Sequence, residues 1–185
     1  MGGQFPVDFD PERWGIPAAM TQGMDTIASW NLVTAVDAFL AAGFTPAELL
    51  RAVHPSDVAS TQGTGFGGME SMRKMFVGRF LGEERPSDIL QEALPNVVAA
   101  HVMQSYIGGY GSMVQPVSAC ATAAVSIEEG WDKIALGKAE VVIAGAIDDI
   151  SIESVVGFGN MNATAEAGPG PGRRRTPGAW PGRGR

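Results

Sequence analysis

Met113-Val114-Gln115-Pro116-Val117-Ser118-Ala119-Cys120-Ala121-Thr122-Ala123-Ala124 decides the reading of this chain. Residues 113–119 have the pattern of a strand, and a helix opens at Ala121 and runs to about Leu136. Cys120, the single cysteine, falls at the junction. A thiol at a helix N-terminus lies beside backbone N–H groups that have no intrahelical partner. Those groups and the helix dipole favour thiolate, the nucleophilic form. The small residues around it let another chain or a substrate approach the sulfur. The competing reading is a buried, inert cysteine that packs as a small hydrophobe. The order strand, cysteine, small residues, helix favours the nucleophile.

Gly137 ends that helix, and Val141-Val142-Ile143-Ala144 reads as a parallel strand, apolar on both faces. Two parallel strands joined by a helical crossover make a right-handed βαβ unit. The fold class is therefore α/β, with helices on both sides of a sheet. Upstream, a helix is expected over about 21–42, stopped by Gly43, with Leu32, Val33, Val36, Phe39 and Leu40 on one stripe. Thr45-Pro46-Ala47-Glu48 has the form of a capped helix start, and that short helix ends near Val53. Residues 57–61 form a short strand. A glycine-rich loop, Gly63-Thr64-Gly65-Phe66-Gly67-Gly68, precedes a helix from Met69 to about Phe80. Asp88 with Gln91 resembles a capping box for a helix reaching about Tyr106, which Pro95 kinks or splits. Gly108-Gly109-Tyr110-Gly111 is a turn.

Composition sets outer bounds. The chain has 185 residues, 45% of them hydrophobic, enough for one domain with a sizeable core. One cysteine rules out an intrachain disulfide framework and a cysteine-cluster metal site. It suits a reducing compartment, so a cytoplasmic location is expected. No apolar run reaches the length of a membrane span, and no secretory signal opens the chain. Residues 1–166 carry 8 basic and 20 acidic side chains, a net of −12, while 167–185 carry 5 arginines and no acid. An acidic body attracts neither nucleic acid nor anionic membrane, and neither is expected as a partner. Fifteen of the nineteen residues in 167–185 are Gly, Pro or Arg. The chain is therefore divided into a folded part, 1–166, and a tail, 167–185, expected to be disordered. The abrupt change after Glu166 favours an out-of-frame stretch of a GC-rich gene over a basic arm for RNA or a phosphate-rich partner.

Several motifs are decoys. The glycine loop matches G-x-G-x-x-G, yet a dinucleotide fold needs a strong preceding strand and an acid ending the next strand. Here the preceding residues, Ser60-Thr61-Gln62, are polar, and Glu83 and Glu84 lie in a loop. The glycines are read instead as permitting close backbone packing or the approach of a substrate. His54 and His101 are the only candidate bases for the thiol, and each is read first as a structural residue. Asp148-Asp149 ends a strand, but adjacent side chains on a strand point apart, so no metal site is expected. Met69, Met72, Met75 and Met103 are adaptable packing, with an acyl tunnel as the functional alternative.

Four collinear blocks carry a family resemblance: residues 63–69 (Gly-Thr-Gly-Phe-Gly-Gly-Met), 88–92 (Asp-Ile-Leu-Gln-Glu), 117–123 (Val-Ser-Ala-Cys-Ala-Thr-Ala) and 158–161 (Phe-Gly-Asn-Met). Together they resemble the β-ketoacyl synthase domain of type I fatty acid synthases of the actinobacterial and fungal branch. The resemblance implies a thiolase-like fold, a mixed sheet flanked by helices, of which this chain is the first of two similar halves. It implies that Cys120 accepts an acyl chain as a thioester from an acyl carrier protein. The carbanion left when malonyl-carrier loses CO₂ would then attack the acyl-enzyme. Ala119, Ala121, Gly65, Phe66, Gly67 and Phe158 are implied as the substrate-binding and oxyanion region. No cofactor is implied in the chain itself; the carrier brings phosphopantetheine. A homodimer through residues 113–119 is also implied. The family's two decarboxylation histidines and supporting lysine lie downstream of the cysteine and have no match here. The expectation is a fragment, the nucleophile half, inactive in condensation. The alternatives are a non-catalytic dimerisation or scaffold piece and a polyketide-synthase relative.

Overall fold

In the computed structural model, residues 9–84, 87–108 and 111–163 are described; the tail 167–185 and its boundary at Glu166 lie outside them. The described residues divide into two units, one up to Asp149 and one from Ile150 onward.

The first unit is built on a short parallel sheet. Strand β1 (Val58–Ser60) pairs with β2 (Val141–Ile143), Val58 opposite Val141 and Ser60 opposite Ile143. On the other side of β1, Ser60 bridges Met113, again in parallel. The Ser60 amide donates to Ser112 O at 2.8 Å, and Ser60 O accepts from Val114 N at 2.9 Å. β1 is thus the middle of three parallel segments, and all three of its residues are buried. The strand expected over 113–119 shrinks to that one bridge. A ladder needs a donor at alternate positions, Pro116 has none, and no second strand flanks this stretch among the described residues.

Helices cover both faces. On one face lie α2 (Thr26–Ala41) and α6 (Pro95–Val102). Leu32, Val33 and Val102 form one cluster with Ile16 and Ala35, and Phe39, Leu49, Val58, Met103 and Ile107 form a second. Val141 and Ile143 project into the second cluster. Val142, one residue out of phase, faces the opposite side, where α7 (Thr122–Ala135) packs. Period-two alternation therefore gives the sheet its two helical layers. Each fully buried Leu or Ile contributes roughly 1.5–3 kcal/mol.

The helix expected over 21–42 is α2, which starts five residues later, at Thr26; a separate short helix, α1 (Ala18–Thr21), precedes it. The break follows from Asp25, whose Oδ1 accepts from Ile27 N at 3.1 Å and caps α2. Val36 on the expected stripe is half-buried, and Leu40 is exposed. α3 (Pro46–Ala52) starts as expected, in a full capping box: Glu48 N donates to Thr45 Oγ1, and Thr45 N donates to Glu48 Oε2 at 2.8 Å. Thr45→Ala is expected to lower the thermal midpoint by about 2–4 °C; a differential scanning melt equal to the parent's would show that the cap carries no weight.

α4 (Met69–Leu81) follows the glycine loop, and α5 (Ile89–Glu92) and α6 are separated at Pro95, which takes the first helical turn of α6. The capping box expected at Asp88 is absent. Gln91 N bonds instead to the Asp88 carbonyl, and the Asp88 carboxylate lies against Gly23. A π-helical turn, Met103–Ile107, extends α6 and stops at Gly108, whose φ is +90°.

α7 faces the sheet with its small residues. Thr122, Ser126 and Gly130 are its buried positions, at a spacing of four. Ile127, Trp131 and Ile134 point outward at 62%, 73% and 50% exposure. In the second unit, α8 (Ile152–Asn160) is capped by Ser151, whose hydroxyl accepts from Ser154 N. No single described helix is long and apolar enough to cross a membrane.

Candidate functional site

Three parallel segments end together at the carboxyl edge of the sheet. β1 runs into the glycine loop, the segment through Met113 runs to Cys120, and β2 runs to Asp148. Open parallel sheets bind ligands at this edge. Gly63 joins the three. Its amide donates to Gly145 O at 3.0 Å, and its carbonyl accepts from Ile147 N at 3.1 Å. On its other side a Cβ would lie 2.3 Å from Pro116 O and 2.5 Å from Thr122 Cγ2. Glycine is required here by close approach, as the glycine-rich pattern led us to expect.

Cys120 sits in a 3₁₀ turn, Ala119–Ala121, that leads into α7. The helix proper starts at Thr122, one residue later than expected. The turn is tight because Ala119 takes φ +49°, a left-handed conformation costing about 1–3 kcal/mol for a residue with a Cβ. Buried Thr122 holds it there. Its Oγ1 accepts from Ser118 N at 2.9 Å and donates to Ala119 O at 2.7 Å. The Ala121 and Thr122 amides bond back to Ser118 O and Ala119 O. The result is a sharp strand-to-helix elbow with a free, exposed thiol at its tip. The thiol is therefore not buried, as the competing reading would have it. Ala119 and Ala121 flank the thiol as its exposed neighbours.

The glycine loop is organised by a residue far away in sequence. Asp148 Oδ1 accepts from Gly65 N at 2.7 Å, Thr64 Oγ1 at 2.9 Å and Phe66 N at 3.3 Å. The Gly65 and Phe66 amides are thus bonded to a protein carboxylate. A phosphate in a dinucleotide-type loop would compete with that carboxylate for the same donors. Thr64 Oγ1 also accepts from Gly67 N at 3.1 Å, and Gly67, at φ +74°, lies against Ala93 O and Pro95. Phe66 is 44% exposed.

The two histidines are held locally. His54 precedes β1, at the edge of the sheet opposite Cys120, and its Nδ1 accepts from Ser56 N in a turn cap. His101 on α6 places Nε2 2.9 Å from Oε1 of buried Glu92. Glu92 Oε2 accepts from Asp25 N at 2.9 Å, and Asp25 Oδ2 accepts from Ser71 N at 2.8 Å. Burial pushes the Glu92 carboxyl up, but the hydrogen bonds from His101 and Asp25 and the His101 charge together outweigh it. The net direction is below the usual carboxylate range. This network ties the starts of α2 and α4 to α5 and α6; it is a structural centre. Phe158 belongs to the second unit, on α8, where it is 37% exposed.

Sequence reading had no access to three of these features. Asp148 and Gly65 are 83 positions apart, Ala119 carries no signal of its positive φ, and Thr122 reads as an ordinary first-turn residue.

Against this geometry stand the comparisons with known proteins. The profile of the family described as β-ketoacyl synthase, N-terminal domain, matches residues 3–179. The fatty acid synthase subunit alpha of Schizosaccharomyces pombe is 38% identical over 178 residues, 96% of this chain and 10% of that protein. The chain therefore spans about a tenth of the length of that relative. Among solved structures, a β-ketoacyl synthase from Burkholderia phymatum STM815 superposes with TM-score 0.69 at 23% identity, covering 89% of this chain and 38% of that one. The ketosynthase FabY from P. aeruginosa superposes with TM-score 0.74 at 21% identity, covering 84% and 24%. At these identities the likeness is one of fold, the thiolase-like fold of such enzymes.

Proposed function

The chain belongs to the β-ketoacyl synthase family, as its N-terminal domain, and on that premise we propose that Cys120 captures an acyl group from a carrier-bound thioester. The observation that carries this is the exposed thiol on the strained Ala119 elbow, at the carboxyl edge of three parallel segments. The Cys120 thiolate attacks the thioester carbonyl, and a carbon–sulfur bond to Cys120 forms. The tetrahedral intermediate then collapses, the bond to the carrier's sulfur breaks, and the carrier leaves as its thiol after taking a proton. In the full condensation the carbanion left when a malonyl thioester loses CO₂ attacks the acyl carbon, and the carbon–sulfur bond to Cys120 breaks to return its thiolate. The partner is an acyl carrier protein whose phosphopantetheine arm presents the thioester, and the pathway is fatty acid synthesis.

The chain's own residues support the capture step. Carbanion formation calls for acid–base groups at the site. His54 and His101 are engaged with Ser56 and Glu92 instead, so the decarboxylation half-reaction is not assigned to them. A homodimer through residues 113–119 agrees with the exposure of Met113, Val114 and Val117. Only Met113 of that stretch bridges β1, and among the described residues no strand lies on its other side, where a second chain could pair.

Incubating the chain with an acyl-pantetheine thioester, followed by intact mass and peptide mapping, tests the reading. The expected result is a single acyl mass shift, removed by hydroxylamine and mapped to Cys120. An unmodified chain, or an adduct on another residue, would overturn it.

A further inference from the structure

We propose that Asp148 is a positioning residue whose carboxylate clamps the Thr64–Phe66 turn at the sheet edge, and that the rate of acyl capture at Cys120 depends on this clamp. The inference rests on the acyl-capture reading of Cys120. Three donors from three consecutive residues converge on one oxygen, Asp148 Oδ1: the Thr64 hydroxyl, the Gly65 amide and the Phe66 amide. Charge-assisted bonds of this kind are shorter and stronger than neutral ones, and the Gly65 contact is 2.7 Å. Gly65 permits it, because a Cβ there would stand 3.3 Å from the same oxygen. The clamp propagates, since the Thr64 hydroxyl that donates to Asp148 accepts from Gly67.

The position of the clamp separates it from core structure. Thr64 is fully buried, whereas Phe66 and Asp148 are exposed at the edge. The clamped turn begins at Thr64, next to Gly63, and its central residue Gly65 is two residues from that glycine, which packs against Pro116 and Thr122 of the elbow. Two residues span at most about 7 Å, so the turn and the thiol belong to one edge. Asp148 reaches the loop from the stretch after β2, so one carboxylate holds the loop from that side while Gly63 packs on the segment that presents the thiol. Errors of about 1 Å in such placement cost up to about 100-fold in rate.

The test compares the full chain with Asp148→Asn and Asp148→Ala. The readouts are acylation by an acyl-pantetheine thioester, alkylation by iodoacetamide, and hydrogen exchange at the Gly65 and Phe66 amides. Asp148→Ala is expected to slow acylation by about 10- to 100-fold while alkylation stays within about twofold and exchange at the two amides rises about tenfold or more. Asp148→Asn keeps one acceptor oxygen and is expected to recover part of the rate. Equal losses in acylation and alkylation would reduce Asp148 to a structural role and overturn the proposal. So would unchanged acylation, or unchanged exchange at Gly65 and Phe66. A parent chain that takes no acyl group overturns the reading of Cys120 and the rate dependence with it; exchange at the two amides then decides the clamp by itself.

Discussion

Gly63→Ala is expected to slow acyl capture at Cys120 by about 100-fold, the cost of moving a reacting atom by about 1 Å. The added methyl would stand 2.3 Å from Pro116 O and 2.5 Å from Thr122 Cγ2, both well inside contact distance. Gly63 itself has little room to retreat, because both its backbone groups are bonded to the stretch after β2, at Gly145 and Ile147. The elbow is therefore the part that yields. Thr122 holds Ala119 in its left-handed conformation through two hydrogen bonds, so displacing Thr122 loosens the turn that presents the thiol. Overpacking of this kind also costs about 1–3 kcal/mol in stability. Alkylation by iodoacetamide, which needs only an exposed thiol, should change little, and the ratio of the two rates separates misplacement from unfolding. Acylation at the parent rate would falsify this account of the elbow.

Glu92→Ala is expected to cost about 3 kcal/mol, read as the shift in a urea unfolding midpoint. Glu92 is 5% exposed, and its two oxygens serve the Asp25 amide and His101. Removing it strands both partners inside the protein, the situation in which a broken buried pair is most costly. Asp25 is itself buried and bridges Ile27 and Ser71, so the loss reaches the starts of α2 and α4. The pH dependence has a definite sign. The folded-state value of Glu92 lies below the ordinary one, so its contribution is complete above about pH 4.3 and disappears as pH falls through the folded value. Glu70 shifts in the same direction, held down first by Lys74 and then by Thr26, and adds to the acid sensitivity. Glu92→Gln should therefore be less stable than the parent at pH 7 and converge on it as pH falls through the folded-state value. A constant gap between the two across that range would show that the carboxylate's charge is not what the network uses.

Local chemistry made part of this architecture readable. Thr45 and Glu48 specify the start of α3 because a capping box is closed within four residues. Pro95 divides α5 from α6 because it removes a helix donor wherever it stands. The other elements depended on partners distant in the chain. Asp88 has the spacing of a cap, but its carboxylate is turned to Gly23. Residues 113–119 look like a strand, yet only Met113 bridges β1, since pairing belongs to two segments and not to one. α7 reverses the usual inference from hydrophobicity. Ile127, Trp131 and Ile134 face outward, while Ser126 and Gly130 face the sheet. Close approach explains the choice: the Ser126 hydroxyl bonds to the backbone of Thr61 and accepts from Gly145 N, and a Cβ on Gly130 would press on Val142 at 3.2 Å.

The candidate nucleophile was legible from residues 117–123, because a cysteine between a strand-like run and a run of small residues is a local arrangement, and the family from four short collinear blocks; the structure adds that the thiol is exposed. The arrangement of the sheet edge around it was not legible. Gly63 against Thr122, Asp148 against Gly65 and Glu92 against Asp25 are separated by 59, 83 and 67 positions, and no periodicity or propensity encodes a contact of that range. Only the packed structure brings those groups within hydrogen-bond or van der Waals distance, and such interactions decay within a few ångströms, so the tertiary fold alone decides which of the chain's polar residues hold the site.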